Sequence, residues 1–495
     1  MMLKRLTGPG VVFSLAFAFW CAVVVTGSTA AAVPDEKCFD DEKEMFPDIQ
    51  AIKYEGPESR NPLSFRYYHA EEKVCVQNYC RKMKDWLRFS VAFWHTFRGD
   101  GSDPFGSPTK AWPWEVEGGE MEVARLRMKA NFEFLEKLGV DYWCFHDRDI
   151  APEGDTLQES NANLEEIVKL AKELNKKYRK KVLWGTAQLF KHKRYMHGAA
   201  TSPDVGVFAY GAAQVKAAMD ATYALGGENF VFWGGREGYQ TLLNTDLSLE
   251  LDHLGKFMKM AADYKESIGF TGTLLIEPKP QEPTKHQYDW DVATTANFLH
   301  NNNLTDKFKI NVECNHATLS GHSCEHELKV ASIQGLLGNI DINTGDPQIG
   351  WDTDQFLTDP SEATRLMLVV LSQGGLQSGG LNFDAKLRRE STSVEDLFYA
   401  HISGIDAMAR GLRQAAAIIN DGRLSNFVEE RYSSFESFPI DLAKTNFQEL
   451  EQYALSLQVR FFVSFPFPPF LFPSPLGAQS FRHLDSNCFL LPFAV

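Results

Sequence analysis

From about Trp86 onward the chain repeats one pattern: a short apolar run rich in β-branched and aromatic residues, a few polar residues, then apolar positions at helical spacing. The runs are RFSVAFWHTF (88–97), DYWCFHDRDI (141–150), KKVLWGTAQLF (180–190), NFVFWGG (229–235), GTLLIEPKP (272–280), FKINVECNHA (308–317), LGNIDIN (337–343) and GGLNFDAK (379–386). Between several of them lie amphipathic segments such as NANLEEIVKLAKELNKKYRKK, where Leu164, Ile167, Val168, Leu170, Ala171 and Leu174 recur at helical spacing. Strands that are apolar throughout and alternate with helices belong to parallel sheets covered on both faces. Eight such units predict an α/β fold, a (β/α)8 TIM barrel, with an open doubly wound sheet as the alternative.

The polar residues separate the two. A barrel gathers them at the carboxyl ends of its strands, whereas an open sheet concentrates them at one or two switch points. His146 and Asp149, Glu277 and Lys279, Glu313 and His316, Asp341 and Asp384 all stand at the ends of apolar runs, which favours the barrel. The predicted organisation is a leader at 1–32, an N-terminal extension at 33–80, the barrel at 81–405 and a C-terminal helical arm at 406–457. The tail at 458–495 is of another kind, its Phe and Pro content breaking helices and exposing apolar rings.

The leader has a basic start (Lys4, Arg5), an apolar run from Val11 to Val25 and small residues at Ala30 to Ala32, the layout of a cleavable secretory signal. Its apolar run is shorter than the ~20 residues a bilayer span needs, so no stable membrane span is expected after cleavage. The expected destination is the secretory pathway, in the endoplasmic reticulum or outside the cell. The chain of 495 residues carries a formal charge of −15, which argues against nucleic acid as a partner and for cations or neutral polar molecules. Its 8 cysteines form no CxxC pair and no dense framework, so no specific bridge is predicted. Cys144 and Cys314, in strand-like runs, are expected as buried free thiols.

In GWDTDQF, Asp352 and Asp354 stand two apart, so in an extended segment both carboxylates face one side. Like charges held that close need a proton or a cation between them. Glu277, Glu313, His316, Asp341 and Asp384 complete seven donors, six of them carboxylates, that a barrel would bring to one mouth. Such oxygen-dominated sets select Mg2+ or Mn2+, and the single imidazole leaves room for Mn2+ or Co2+. Lys279 alternates onto the strand face of Glu277 and is suited to hydrogen-bond an oxygen that gains negative charge. In FHDRD, Asp149 can fix the tautomer of His146 for proton transfer. Trp94, Trp184, Trp233 and Phe190 would supply flat apolar walls for a sugar.

WHTF, FHDRD, FWGGREGY with NTD soon after, IEPKPQEPTKHQYD, NVECNHATLSGH, GWDTDQF and NFDAK occur in an order that resembles the xylose isomerase family, in its longer class II form, over roughly residues 50 to 457. The resemblance implies conversion of D-xylose to D-xylulose, and of D-glucose to D-fructose, by a hydride shift assisted by two divalent cations, Mg2+ first among them, with no organic cofactor. It assigns Glu277, Glu313, Asp341 and Asp384 to one cation, and His316, Asp352 and Asp354, with Glu313 bridging, to the second. It gives His146, oriented by Asp149, a part in opening the sugar ring, and Lys279 the carbonyl oxygen. Trp94 and Trp233 match pocket walls, and Phe105 matches a phenylalanine inserted by a neighbouring subunit, which implies a homotetramer. The tail after about Leu457 departs from the family's arm that wraps a partner, which bears on assembly.

Two other readings remain at this point. A metal-dependent nuclease of the apurinic-site type would carry more histidines and a basic surface to hold phosphates. A secreted sugar- or cation-binding protein would lack one of the proton-transfer or metal residues, and none is missing from the matched positions.

Overall fold

The computed structural model describes residues 44–389 and 391–457, so the predicted leader at 1–32 and tail at 458–495 lie outside the described residues. Eight parallel strands close into a barrel: β1 (Phe89–Ala92), β2 (Tyr142–His146), β3 (Lys181–Thr186), β4 (Asn229–Trp233), β5 (Thr273–Glu277), β6 (Phe308–Glu313), β7 (Leu337–Asp341) and β8 (Leu381–Phe383). Closure runs through β8 and β1, where Leu381 pairs with Phe89, Asn382 with Ser90 and Phe383 with Val91. Each strand is followed by an outer helix: α1 (Glu120–Leu138), α2 (Leu157–Tyr178), α3 (Val205–Ala224), α4 (Leu247–Ser267), α5 (Val292–Asn301), α6 (Cys324–Ile333), α7 (Pro360–Ser372) and α8 (Asp396–Asp421). This is the (β/α)8 TIM barrel the sequence predicts.

Local chemistry explains the elements. Every residue of β2 is buried, as a strand covered on both faces requires. In α2, Leu164, Ile167, Val168 and Ala171 are buried while Leu170 and Leu174 sit half-buried at the edge of the apolar stripe. The Thr156 side chain caps that helix by accepting from the Glu159 N–H, and Arg179 ends it in the left-handed region at φ 56°.

Three apolar runs do not stay extended. At the carboxyl rim each strand gives way to a short helix: Phe93–Arg98 after β1, Asp147–Ile150 after β2 and Cys314–Leu319 after β6. Trp94 therefore sits on a helical turn and not at the end of a strand. The change matters because residues three apart share a face of a helical turn. It brings Asp149 beneath His146, and His316 beside Glu313.

The cysteines depart from expectation. Cys314 is bonded to Cys324 and Cys75 to Cys80, and only Cys144 is the buried free thiol predicted. The reason is spatial: the short helix after β6 turns Cys314 toward the first residue of α6, a closeness that strand-like patterning hides. The Cys75–Cys80 bond closes a hairpin, Lys73–Val76 with Tyr79–Lys82, across the predicted end of the N-terminal extension. Earlier in that extension the Phe46 ring is buried against Trp114, Phe134 and Phe398 at 5.3–5.9 Å.

The chain divides into two compact units after Ala416. Burial along α8 continues through Leu412, Ala415 and Ala416. In the second unit, α9 (Arg423–Glu436) and α10 (Phe447–Ser456) contain no buried residue, and Phe438 meets Tyr453 edge-on at 4.8 Å. Among the described residues no helix is long and apolar enough to cross a membrane.

One buried group of the first unit sets an acid limit on stability. His401 of α8 lies among Phe134, Phe356 and Phe383 at 4.9–5.3 Å, its Nδ1–H donating to the Leu397 carbonyl at 2.7 Å. Burial pushes its pKa down to about 4 from 6.5. The unfolded chain therefore takes up a proton that the folded chain refuses, so this contribution to stability is complete above pH 6.5 and is lost as pH falls toward about 4. The shift corresponds to about 3 kcal/mol. Urea unfolding of the wild type between pH 7 and 4.5 is expected to show an extra loss of that order relative to His401→Leu; parallel pH curves for the two chains would contradict it.

Candidate metal centre and active site

The carboxyl ends of β5, β6 and β7 carry Glu277, Glu313 and Asp341, each buried, and Asp384 follows β8 directly. One carboxylate oxygen from each of these four lies within 4.8 Å of the others. Glu313 belongs also to a second cluster, with Asp352 and Asp354, and to a third with Glu277 and His316. The barrel thus assembles all seven predicted donors, with Glu313 common to these three groups.

Neighbouring amides aim these carboxylates. Asn311, buried on β6, donates through Nδ2 to Glu277 at 2.8 Å and to Asp341 at 2.7 Å. Its own Oδ1 accepts from Asn339 at 2.8 Å. Asn343 donates to Glu313 at 2.7 Å, and the Trp94 indole N–H donates to Asp384 at 2.9 Å. These contacts fix orientation and leave most of the charge uncompensated.

The electrostatics say the same. Desolvation first, then the charges of neighbouring carboxylates, drives Glu277, Glu313 and Asp341 well above the usual carboxylate range. Burial acts on Asp352 and Asp354 too, but neighbouring positive groups outweigh it: the Lys279 ammonium foremost holds Asp352 low, and Lys386 with His95 holds Asp354 low.

Asp352 and Asp354 do face the same cluster, but not by the alternation of an extended strand. Asp354 has φ 45°, a left-handed conformation that aspartate tolerates, and its carbonyl accepts from the Lys386 N–H at 2.9 Å. The backbone twist between the two, with no strand through residues 352–354, makes them converge.

The donors fit divalent cations. His316 Nδ1 lies 3.0 Å from the Pro278 carbonyl, which can only accept, so Nδ1 carries the proton. Its Nε2 then faces Glu313 Oε2 and Asp352 Oδ2, each at 3.2 Å, with a lone pair. Three acceptors turned toward one another call for a cation between them. Asp341 Oδ1 is likewise buried with no hydrogen-bond partner.

Beside the carboxylates opens a cavity of about 310 Å3 lined by Trp94, His146, Trp184, Phe190, Trp233 and Lys279 together with the donors Glu277, Glu313, His316, Asp352, Asp354 and Asp384. Phe190 and Trp233 meet edge-on at 4.5 Å, and Trp94 meets His146 at 4.4 Å. A second cavity of about 40 Å3, lined by Trp233, Phe230, Phe232 and Phe257, is too small for a sugar.

His146 Nδ1 approaches Asp149 Oδ2 to 2.9 Å. Burial would raise the Asp149 carboxyl, yet the close His146 imidazole, with Arg98 and Lys191, keeps it below its ordinary value. Lys279 is buried, and its Nζ donates to Asp352 Oδ2 at 2.6 Å, 3.4 Å from Glu282. Burial alone would lower that ammonium's pKa, but the surrounding carboxylates, Asp352 foremost, hold it above the usual lysine value. Phe105 stands 81% exposed at the rim, its ring 5.9 Å from Trp351.

Sequence reasoning missed several residues. His95 Nε2 contacts Asp384 at 2.7 Å and Asp354 at 3.3 Å, and Lys386 Nζ reaches Asp354 at 2.9 Å. Both belong to motifs already singled out, WHTF and NFDAK; a histidine inside an apolar run was the available signal. Nothing in the pattern marks Asn311 or Asn343.

A buried, carboxylate-rich donor set on the carboxyl rim of an eight-stranded barrel places the chain among the metal-binding (β/α)8 enzymes. No family model matches the chain. It is 64% identical over 424 residues to xylose isomerase from Arabidopsis thaliana, covering 84% of this chain and 88% of the relative. It is 62% identical over 442 residues to the enzyme of that name from Hordeum vulgare, covering 88% and 91%. The figure is 55% over 415 residues for xylose isomerase from Geobacillus kaustophilus, covering 83% and 92%. Among solved structures it is similar to a D-psicose 3-epimerase from Clostridium cellulolyticum, with TM-score 0.41 and 11% identity over 67% of this chain and 98% of that one. The chain belongs to the xylose isomerase family.

Proposed function

We propose that the chain isomerises D-xylose to D-xylulose, and D-glucose to D-fructose, with two divalent cations per chain, Mg2+ first and Mn2+ or Co2+ as alternatives. The observation that carries this is the gathering of seven metal donors, Lys279 and the His146–Asp149 pair around one aromatic-walled cavity, in a chain of this family. No organic cofactor enters the scheme.

Glu277, Glu313, Asp341 and Asp384 would hold one cation, and Glu313, His316, Asp352 and Asp354 the other. Bound there, divalent cations supply Lewis-acid polarisation of the sugar oxygens. The reaction moves a hydride from C2 to C1 and a proton from the C2 hydroxyl to the C1 oxygen. His146, with Asp149 2.9 Å from its Nδ1, transfers the proton that opens the sugar ring. Lys279 donates to the carbonyl oxygen as negative charge builds on it. Trp94, Phe190 and Trp233 form walls that keep water from the reacting carbons.

The chain works as a homotetramer in which Phe105 of a neighbouring subunit completes the pocket. Two features support this: the exposure of Phe105, and the uncovered apolar side chains of α9 and α10, including Phe427, Tyr432, Phe435 and Phe447. Its destination is the secretory pathway, and the disulfides Cys75–Cys80 and Cys314–Cys324 suit an oxidising compartment.

Isotope transfer tests the reaction. With D-xylose deuterated at C2 and Mg2+, the xylulose formed is expected to carry its deuterium at C1. Washout of the label into water would replace the hydride shift with a proton-transfer mechanism, and absence of xylulose would reject the activity.

A further inference from the structure

Away from the sugar cavity, a second type of donor set lies on the outer helix layer. We propose that His322, His326 and Glu327 form a third cation site, one that takes a borderline transition metal of the zinc class and not Mg2+.

The geometry is built around Glu327. Its carboxylate is buried, and Oε2 accepts from the Val292 N–H at the start of α5 at 2.7 Å, which fixes the group's direction. The other oxygen, Oε1, faces both imidazoles: His322 Nδ1 at 2.6 Å and His326 Nε2 at 3.9 Å. A donor atom from each of the three lies within 4.8 Å of the other two. Tetrahedral zinc, with bonds of ~2.1 Å, separates its donors by roughly 3.4 Å, a value the two approaches to Oε1 bracket.

The backbone holds these donors in place. The Cys314–Cys324 disulfide pins both ends of the loop that carries His322, and the His322 N–H donates to the Ala317 carbonyl at 2.9 Å. The Ser323 side chain caps α6 by accepting from the His326 N–H at 3.2 Å. The imidazole rings sit 4.5 Å apart, and the His326 side chain is 52% exposed, leaving room for water to complete the coordination. The positive end of α6 opposes a cation, but Glu325 and Glu327 in its first turn offset it.

The donor chemistry sets the preference. Two imidazoles with one carboxylate suit zinc-like ions, whereas magnesium demands oxygen ligands. None of the three residues lines the sugar cavity. The site therefore differs from the acidic centre in its donor chemistry and lies outside the sugar cavity, Glu327 sharing only a pocket of about 10 Å3 with Glu313 and His316.

Equilibrium dialysis of the Mg2+-loaded protein against Zn2+, with bound zinc counted by elemental analysis, tests the assignment. The wild type is expected to hold one more zinc per chain than His326→Ala. His322→Gln, whose amide can still donate to Glu327, is expected to show the same deficit. Any zinc entering the acidic centre counts equally in all three chains, so the difference isolates this cluster. Equal zinc counts in wild type and both variants would overturn the proposal.

Discussion

Stripping divalent cations with EDTA is expected to reduce xylose turnover to background, and Mg2+ or Mn2+ to restore it. Several kcal/mol of transition-state stabilisation from the cations corresponds to a loss of roughly 10³-fold or more. Glu313→Gln is expected to stay inactive whatever metal is added, because this carboxylate is common to all three donor groups at the barrel mouth. The same cluster predicts a stability signature. Glu277, Glu313 and Asp341 have folded-state pKa values raised above the ordinary 4.5 and 3.8 by burial and by one another. A carboxyl raised in this way binds its proton more tightly folded than unfolded, so stability declines as pH rises above the ordinary value. Bound cations replace those protons and remove the decline. Thermal midpoints of stripped protein should therefore fall between pH 5 and 8 relative to metal-loaded protein. Turnover that survives chelation, or stripped and loaded midpoints that move together, would refute the assignment.

Much of this was legible in the sequence for a physical reason. A barrel strand buried on both faces must be apolar until it reaches the rim, so the first charged residue after each run marks the carboxyl end. Glu277, Glu313, Asp341 and Asp384 were found that way, and the barrel places all four together. What stayed hidden depends on backbone direction past the rim. The helical turn after β6 decides that Cys314 meets Cys324, and the left-handed φ of Asp354 decides how it reaches Asp352. Asn311 and Asn343 are neutral residues in strand-like runs, and only the closed barrel reveals which carboxylates they steer. His95 was visible as a polar residue among aromatics, yet its two aspartate partners lie more than 250 positions away.

Replacing Lys279 by Met is expected to lower kcat by roughly 10²- to 10³-fold, the scale for losing one donor to a developing oxyanion. The side chain is buried, its ammonium stacks 5.2 Å from the Trp233 ring centre, and several carboxylates hold its proton. It is therefore charged throughout the working pH range, and acts as a fixed hydrogen-bond donor and not as an acid or base. A pH profile of kcat/KM should accordingly show no alkaline limb from this residue. Lys279→Arg is expected to fail as well, since the wider planar guanidinium cannot occupy the place of a compact ammonium wedged between Trp233 and Asp352. Because Lys279 also bonds Asp352, the variant could act through the metal centre instead, and cation affinity distinguishes the two. Asp352 keeps Asn315 as a donor, so Mg2+ binding at pH 7.5 should survive the change while kcat collapses. Loss of Mg2+ affinity in proportion to loss of rate would reduce Lys279 to a positioning residue for Asp352.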